Sequence, residues 1–128
     1  MPISIFQQKV IDLLKELFGS SGVSVEVNVK KLFPKYRFND HHYDIVIKPY
    51  RLIVECHGEQ HRTLAVFGGS KENAMETFHN QKIRDRNKEE IAYKNEWDYL
   101  IIWYKDFPTD PIKAKEFLKE KVFEAINN

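Results

Sequence analysis

Tyr43-Asp44-Ile45-Val46-Ile47, then Lys48-Pro49-Tyr50-Arg51, then Leu52-Ile53-Val54-Glu55-Cys56-His57-Gly58-Glu59-Gln60-His61 follow one another without a break, and this stretch decides the fold. Two short apolar runs flank a connection whose proline presets one turn dihedral, so residues 43–47 and 52–56 are expected to form strands joined by a tight hairpin. Each run carries an acid where a core strand should have none: Asp44 in the first and Glu55 in the second. A buried carboxylate loses solvation worth several kcal/mol unless a cation, a metal or hydrogen bonds replace the water. Side chains two apart on a strand share a face, which groups Glu55 with His57 and turns Leu52, Val54 and Cys56 the other way. A suitable hairpin register adds Asp44 to them.

Upstream, Ile3, Phe6, Val10, Leu13, Leu14 and Leu17 recur every three or four residues, the stripe of a helix ending near Gly19. Val23, Val25, Val27 and Val29 then alternate with Ser24, Glu26, Asn28 and Lys30, which reads as an edge strand with one wet face. Downstream, His57 to Ser70 contains three glycines and no periodicity, the pattern of a loop. Lys71 to Asn95 reads as a long charged helix whose buried contacts are expected at Met75, Phe78, Ile83, Ile91 and Ala92. Tyr99 to Tyr104 is the fourth strand. Thr109 or Asp110 caps a last helix that opens with Pro111 and has Phe117, Leu118, Val122 and Ile126 on its apolar face. The order α-β-β-β-α-β-α predicts an α/β chain of the α+β kind, one mixed sheet with flanking helices in a single domain spanning 1–128.

Composition narrows the function classes. A formal net charge of +1 neither demands nor excludes a polyanionic partner, so any nucleic-acid site must be local. The single cysteine, Cys56, rules out an intramolecular disulfide and an all-cysteine zinc site, which favours a cytoplasmic location. No apolar run reaches the roughly 18 residues of a membrane span, and no signal peptide is expected.

Two carboxylates converging with a backbone carbonyl make a hard oxygen cage suited to Mg2+ or Mn2+, and a neighbouring imidazole can move a proton near neutral pH. That chemistry suits metal-assisted phosphodiester hydrolysis. The bland alternative places Asp44 and Glu55 at strand ends, solvated or paired with Arg51 or Arg62. A zinc site would need ligands beyond His57 and His61, and His41, His42, His79 and Cys56 show no tight ligand spacing. On the long helix, Gln81 and Asp85 lie one turn apart and could reach the strand carboxylates. Arg84, Arg86 and Lys88 either meet phosphate oxygens or form a solvated face. Lys30, Lys31, Lys35 and Arg37, interleaved with Phe33, Tyr36 and Phe38, could track a nucleic-acid backbone, or the aromatics could be core. Phe67-Gly68-Gly69-Ser70-Lys71 lacks the spacing of a phosphate-binding loop.

The Tyr-Asp strand, the Val-Glu-Cys-His-Gly-Glu-Gln-His segment, the Gln-Lys-Ile-Arg-Asp-Arg helix and the Ile-Ile-Trp-Tyr strand together resemble the PD-(D/E)XK nuclease superfamily. The likeness is to its branch around the very-short-patch repair endonuclease and phage homing-type nucleases, and it spans Tyr43 to Asp106. It implies a restriction-endonuclease-like α-β-β-β-α-β core followed by a helix. It also implies that Asp44 and Glu55 bind the metal with the Cys56 carbonyl, and that His57 stands where many members have lysine. By the same resemblance His61 activates water with help from Asp85, and Gln81 is the polar amide one turn earlier. The first-helix acid is left open between Asp12 and Glu16. The several cysteines of the very-short-patch repair zinc site are missing from this chain.

The expected function is a metal-dependent DNA endonuclease or nickase using Mg2+, with Mn2+ able to substitute. Lys30, Lys31, Arg62, Arg84 and Arg86 would bind the nucleic acid, and a homodimer or a companion DNA-binding protein would supply specificity. The alternative is a non-catalytic nucleic-acid-binding or protein-interaction module with the same fold.

Overall fold

The computed structural model describes residues 3–37, 41–58 and 71–127. His61, Arg62 and Phe38, and with them most of the expected glycine loop, lie outside the described residues. The first helix, α1 (Ile5–Phe18), starts where the Ser4 hydroxyl accepts the Gln7 N–H, and it buries Val10, Ile11 and Leu14. It stops at Gly19, whose φ of 85° suits a residue without Cβ. Strand β1 (Val23–Asn28) follows. The alternating pattern predicts a strand through Val29, but Asn28 ends it: its side chain accepts the N–H groups of Lys30 and Lys31 and starts a one-turn helix, α2 (Val29–Leu32). Phe33 and Tyr36 are buried just beyond, so these aromatics are core while Lys30 and Lys31 face solvent.

The hairpin strands are β2 (His42–Ile47) and β3 (Leu52–His57), joined by a 3₁₀ turn at Lys48–Tyr50 and by Arg51 in the left-handed region at φ 50°. Helix α3 (Lys71–Lys94) crosses over to β4 (Asp98–Trp103), and the Asp110 side chain caps α4 (Pro111–Ile126). The four strands run in the order β1-β2-β3-β4, antiparallel except for the parallel β3–β4 pair, with β1 at an edge. Val10, Leu14, Leu118 and Val122 of α1 and α4 cover one face, against Ile45, Ile47, Leu52, Val54, Cys56 and Ile102. Val29, Phe33, Tyr36 and Ala92 cover the other, against Tyr43, Val46 and Ile53. Among the described residues no helix is long and apolar enough to cross a membrane.

Two expectations change. Met75 and Ile83 are 52% and 43% exposed, because α3 meets the sheet through a narrower stripe that carries polar side chains. The side-chain alternation also inverts at Glu26, which has a φ of 52° and lies between the paired positions Val25↔Ile45 and Val27↔Tyr43. Val25 and Ile45 therefore pack toward α1, while Val27 and Tyr43 pack toward α3. The residue opposite Glu26 in this register is Asp44. Backbone strain is also present at Arg51, where a left-handed conformation disfavours any residue with a Cβ. Arg51→Gly is expected to stabilise the fold by roughly 0.5–1 kcal/mol, read as a higher urea midpoint, and an unchanged midpoint would contradict the strain.

Candidate functional site

The paired register of β2 and β3 ends at Ile45↔Val54. Beyond it two carboxylates do what backbone carbonyls do elsewhere in the ladder. The Asp44 N–H donates to Glu55 Oε2 at 2.9 Å, and the Cys56 N–H donates to Asp44 Oδ2 at 2.9 Å. This reciprocal exchange satisfies two buried backbone donors and fixes both side chains at the mouth of the hairpin. The expected convergence of Asp44 and Glu55 is therefore present.

Burial, and then the charge of Glu55, push the Asp44 carboxyl up to about 8. Ionising both acids at this range is costly, so Asp44 favours its protonated form. A raised folded value means that the native state binds the proton more tightly than the unfolded chain. The penalty for ionising Asp44 is absent below pH 4, grows as the pH rises and is complete above about 8. Asp44→Asn keeps an acceptor for Cys56 and a donor for Glu55. It is expected to stabilise the protein by at least about 2 kcal/mol at pH 8 and by nothing at pH 4, measured by urea unfolding across that range. A gain that does not depend on pH would contradict the raised Asp44 value.

Glu55 is almost completely buried and is not paired with Arg51. Its partner is Lys88 of α3, whose Nζ lies 2.5 Å from Oε1 and also donates to the His42 carbonyl at 2.8 Å. Lys88 is itself 8% exposed, and its own carbonyl accepts the Tyr43 hydroxyl at 2.7 Å, so helix and sheet hold each other at both ends of one residue. The Tyr99 hydroxyl of β4 donates to the same Glu55 oxygen at 3.0 Å. Burial and the Glu55 charge push the Tyr43 and Tyr99 phenols well above their usual range, with Asp85 adding to the effect on Tyr99, so both stay hydrogen-bond donors.

His57 shares the Glu55 face of β3 and is buried edge-on against Trp103, with ring centroids 4.9 Å apart. Burial pushes the Cys56 thiol up, which leaves it unreactive on the opposite face. Gln81 and Asp85 are half-buried on the α3 stripe that continues through Lys88 and Ala92. Arg84 and Arg86 are solvent-exposed on the same helix. Neither first-helix acid turns to the pair: Asp12 accepts from Gln8 at 2.8 Å, and Glu16 lies 3.6 Å from Lys115.

Lys88 and Tyr99 were not separable from their neighbours in the sequence. The spacing 81, 85, 88, 92 could have placed Lys88 on the Gln81 and Asp85 stripe. For Tyr99 no local signal exists, since its face depends on the β3–β4 register. Among the described residues no group of three or more histidine, cysteine, aspartate or glutamate side chains is positioned to hold a metal. A site built on this pair would have to use the two carboxylates, a main-chain carbonyl and water, a donor set that suits a hard, hydrated cation better than zinc.

Comparison with known proteins found no protein family that the chain matches and no characterised protein similar to it in sequence.

Proposed function

We propose that this chain is a metal-dependent endonuclease or nickase that hydrolyses phosphodiester bonds in DNA, of the PD-(D/E)XK type and nearest to the very-short-patch repair branch. The observation that carries the reading is the Asp44–Glu55 pair, two acids brought together at the end of a hairpin, each accepting a backbone N–H from the other strand. A divalent cation would offset the burial and repulsion that make ionising the pair costly. Asp44, Glu55 and the Cys56 carbonyl would hold Mg2+, or Mn2+ in its place. When bound, the ion polarises the scissile phosphate and makes a water more acidic.

The remaining residues position and move protons. Asp85, on the stripe of α3 that faces the pair, orients His61, which takes the proton from the attacking water. His57 donates a hydrogen bond to the phosphate oxygen on which charge develops. Gln81 positions water or phosphate through its amide. Lys30, Lys31, Arg62, Arg84 and Arg86 contact the DNA backbone without reading sequence, so a second copy or a DNA-binding partner supplies specificity.

One observation favours a second reading, a nucleic-acid-binding or protein-interaction module without catalysis. Lys88, Tyr99 and the Asp44 N–H already occupy Glu55, as they would in a site that has no further use for it. Supercoiled plasmid incubated with the protein in Mg2+ or Mn2+, with EDTA as control, separates the two. Metal-dependent conversion to open circles or linear DNA is the expected result. No conversion of plasmid, branched or single-stranded DNA by the folded protein would leave the binding module.

A further inference from the structure

The two edges of the sheet are built differently. On β1 the alternation inverts at Glu26, with its φ of 52°, and Ser24, Glu26 and Asn28 make the strand polar, devices that blunt an edge. On β4 neither is present: Asp98-Tyr99-Leu100-Ile101-Ile102-Trp103 has no charge after its first residue, no proline and no residue at positive φ. An apolar, regular edge is a template for another strand.

The backbone sets which groups that edge offers. The Asp98 N–H donates to the Arg51 carbonyl at 2.9 Å, and in the parallel register that runs from Leu52↔Asp98 to His57↔Trp103 the alternate residues Leu100 and Ile102 face β3 in the same way. Tyr99 and Ile101 therefore turn their N–H and C=O groups outward, and among the described residues neither has a backbone partner there. A groove of about 560 Å³ runs along this edge, lined by residues 99–103 in unbroken succession and by Phe117, Lys121 and Glu124 of α4. Side chains of a strand alternate between faces, so consecutive residues line one groove only where the strand's edge is its wall.

We propose that β4 pairs antiparallel with β4 of a second copy of this chain, about a two-fold axis normal to the sheet at Ile101, joining two four-stranded sheets into one; the surface stands whether or not the metal site does. An axis at Ile101 brings outward groups together: Ile101 exchanges two hydrogen bonds with its own copy, with Cα atoms about 5.5 Å apart, and Tyr99 comes opposite Trp103. The opposed residues are then isoleucine with isoleucine and tyrosine with tryptophan, pairs that favour antiparallel sheet, with no like charges facing each other. The α4 wall of the groove carries both signs, with Lys121 3.8 Å from Glu124, which suits a second copy of this near-neutral chain and gives no hold to a polyanion. Ile101 lies opposite Glu55 of β3, so the axis also sets the two Glu55 positions three strand spacings apart, about 14 Å, on one face of the joined sheet.

Sedimentation equilibrium of the full chain from about 1 μM to about 1 mM tests this. The wild type is expected to be a reversible dimer with a dissociation constant on the order of 10 μM, since a single strand pair buries a small interface. A residue on the axis meets its own copy, so Ile101→Lys and Ile101→Glu should each weaken the dimer at least about tenfold, while an equal mixture of the two recovers it. Amide hydrogen exchange in the wild type reads the same contact without a substitution. The Tyr99 and Ile101 amides should be protected at high concentration and exchange at least about tenfold faster at low concentration, with Leu100 and Ile102, bonded to β3, slow at both. A monomer throughout would overturn the proposal and leave the edge to a strand of another protein. A dimer whose Tyr99 and Ile101 amides exchange equally at both concentrations would overturn it by assigning the interface to another surface, and a mixture that does not recover would take the axis off Ile101. If either variant fails to fold by circular dichroism, the exchange measurement on the wild type decides alone.

Discussion

Lys88→Met is expected to cost about 3–5 kcal/mol of folding free energy, because it strands Glu55 as an uncompensated charge in the interior. The lysine ammonium is 2.5 Å from Glu55 Oε1, and the two side chains are 10% and 1% exposed. Methionine fills nearly the same volume, so the loss reports the charge and not a cavity. Glu55→Gln alone should cost less, since a neutral amide still accepts from Tyr99, and the double variant should recover most of the loss seen in Lys88→Met. Urea unfolding of the wild type, both single variants and the double variant closes this cycle. A Lys88→Met protein within about 1 kcal/mol of the wild type would mean that the ion pair does not hold α3 to the sheet.

Asp44→Ala is expected to fold and yet to lose cleavage by about a thousandfold or more under the nuclease reading, since it removes one of two carboxylates proposed to hold the metal. Asp44→Asn sharpens the test. It is expected to be more stable than the wild type at pH 8 and equally inactive, a gain in stability bought with function. The plasmid assay in Mg2+, run beside unfolding curves for both variants, checks this. Full activity in either folded variant would take Asp44 out of the mechanism and leave its acid as a structural replacement for a backbone acceptor.

These two predictions depend on the chain's long-range structure to different degrees. Asp44 and Glu55 were visible as acids in apolar strands, and their shared position follows from a hairpin whose turn is itself written locally in Lys48-Pro49-Tyr50-Arg51. Lys88 looked like one more cation on a polar helix. It reaches the pair only because α3 crosses from β3 to β4 and lays its polar stripe on the sheet. The same packing explains why Met75 and Ile83 remain exposed, although periodicity alone put them inside.

The sequence by itself determined the order of the four strands and of α1, α3 and α4, the tight hairpin, a cap at Thr109 or Asp110 and the two misplaced acids, because each of these depends on neighbours a few residues apart; the one-turn α2 was not among them. The tertiary structure alone decided the inversion of side-chain alternation at Glu26, the end of the ladder at Ile45↔Val54, and the meeting of Lys88 and Tyr99 on one oxygen of Glu55. Those depend on register and crossover between elements, and in the last of them a buried charge finds partners from distant parts of the chain by exclusion of water and not by spacing along the chain.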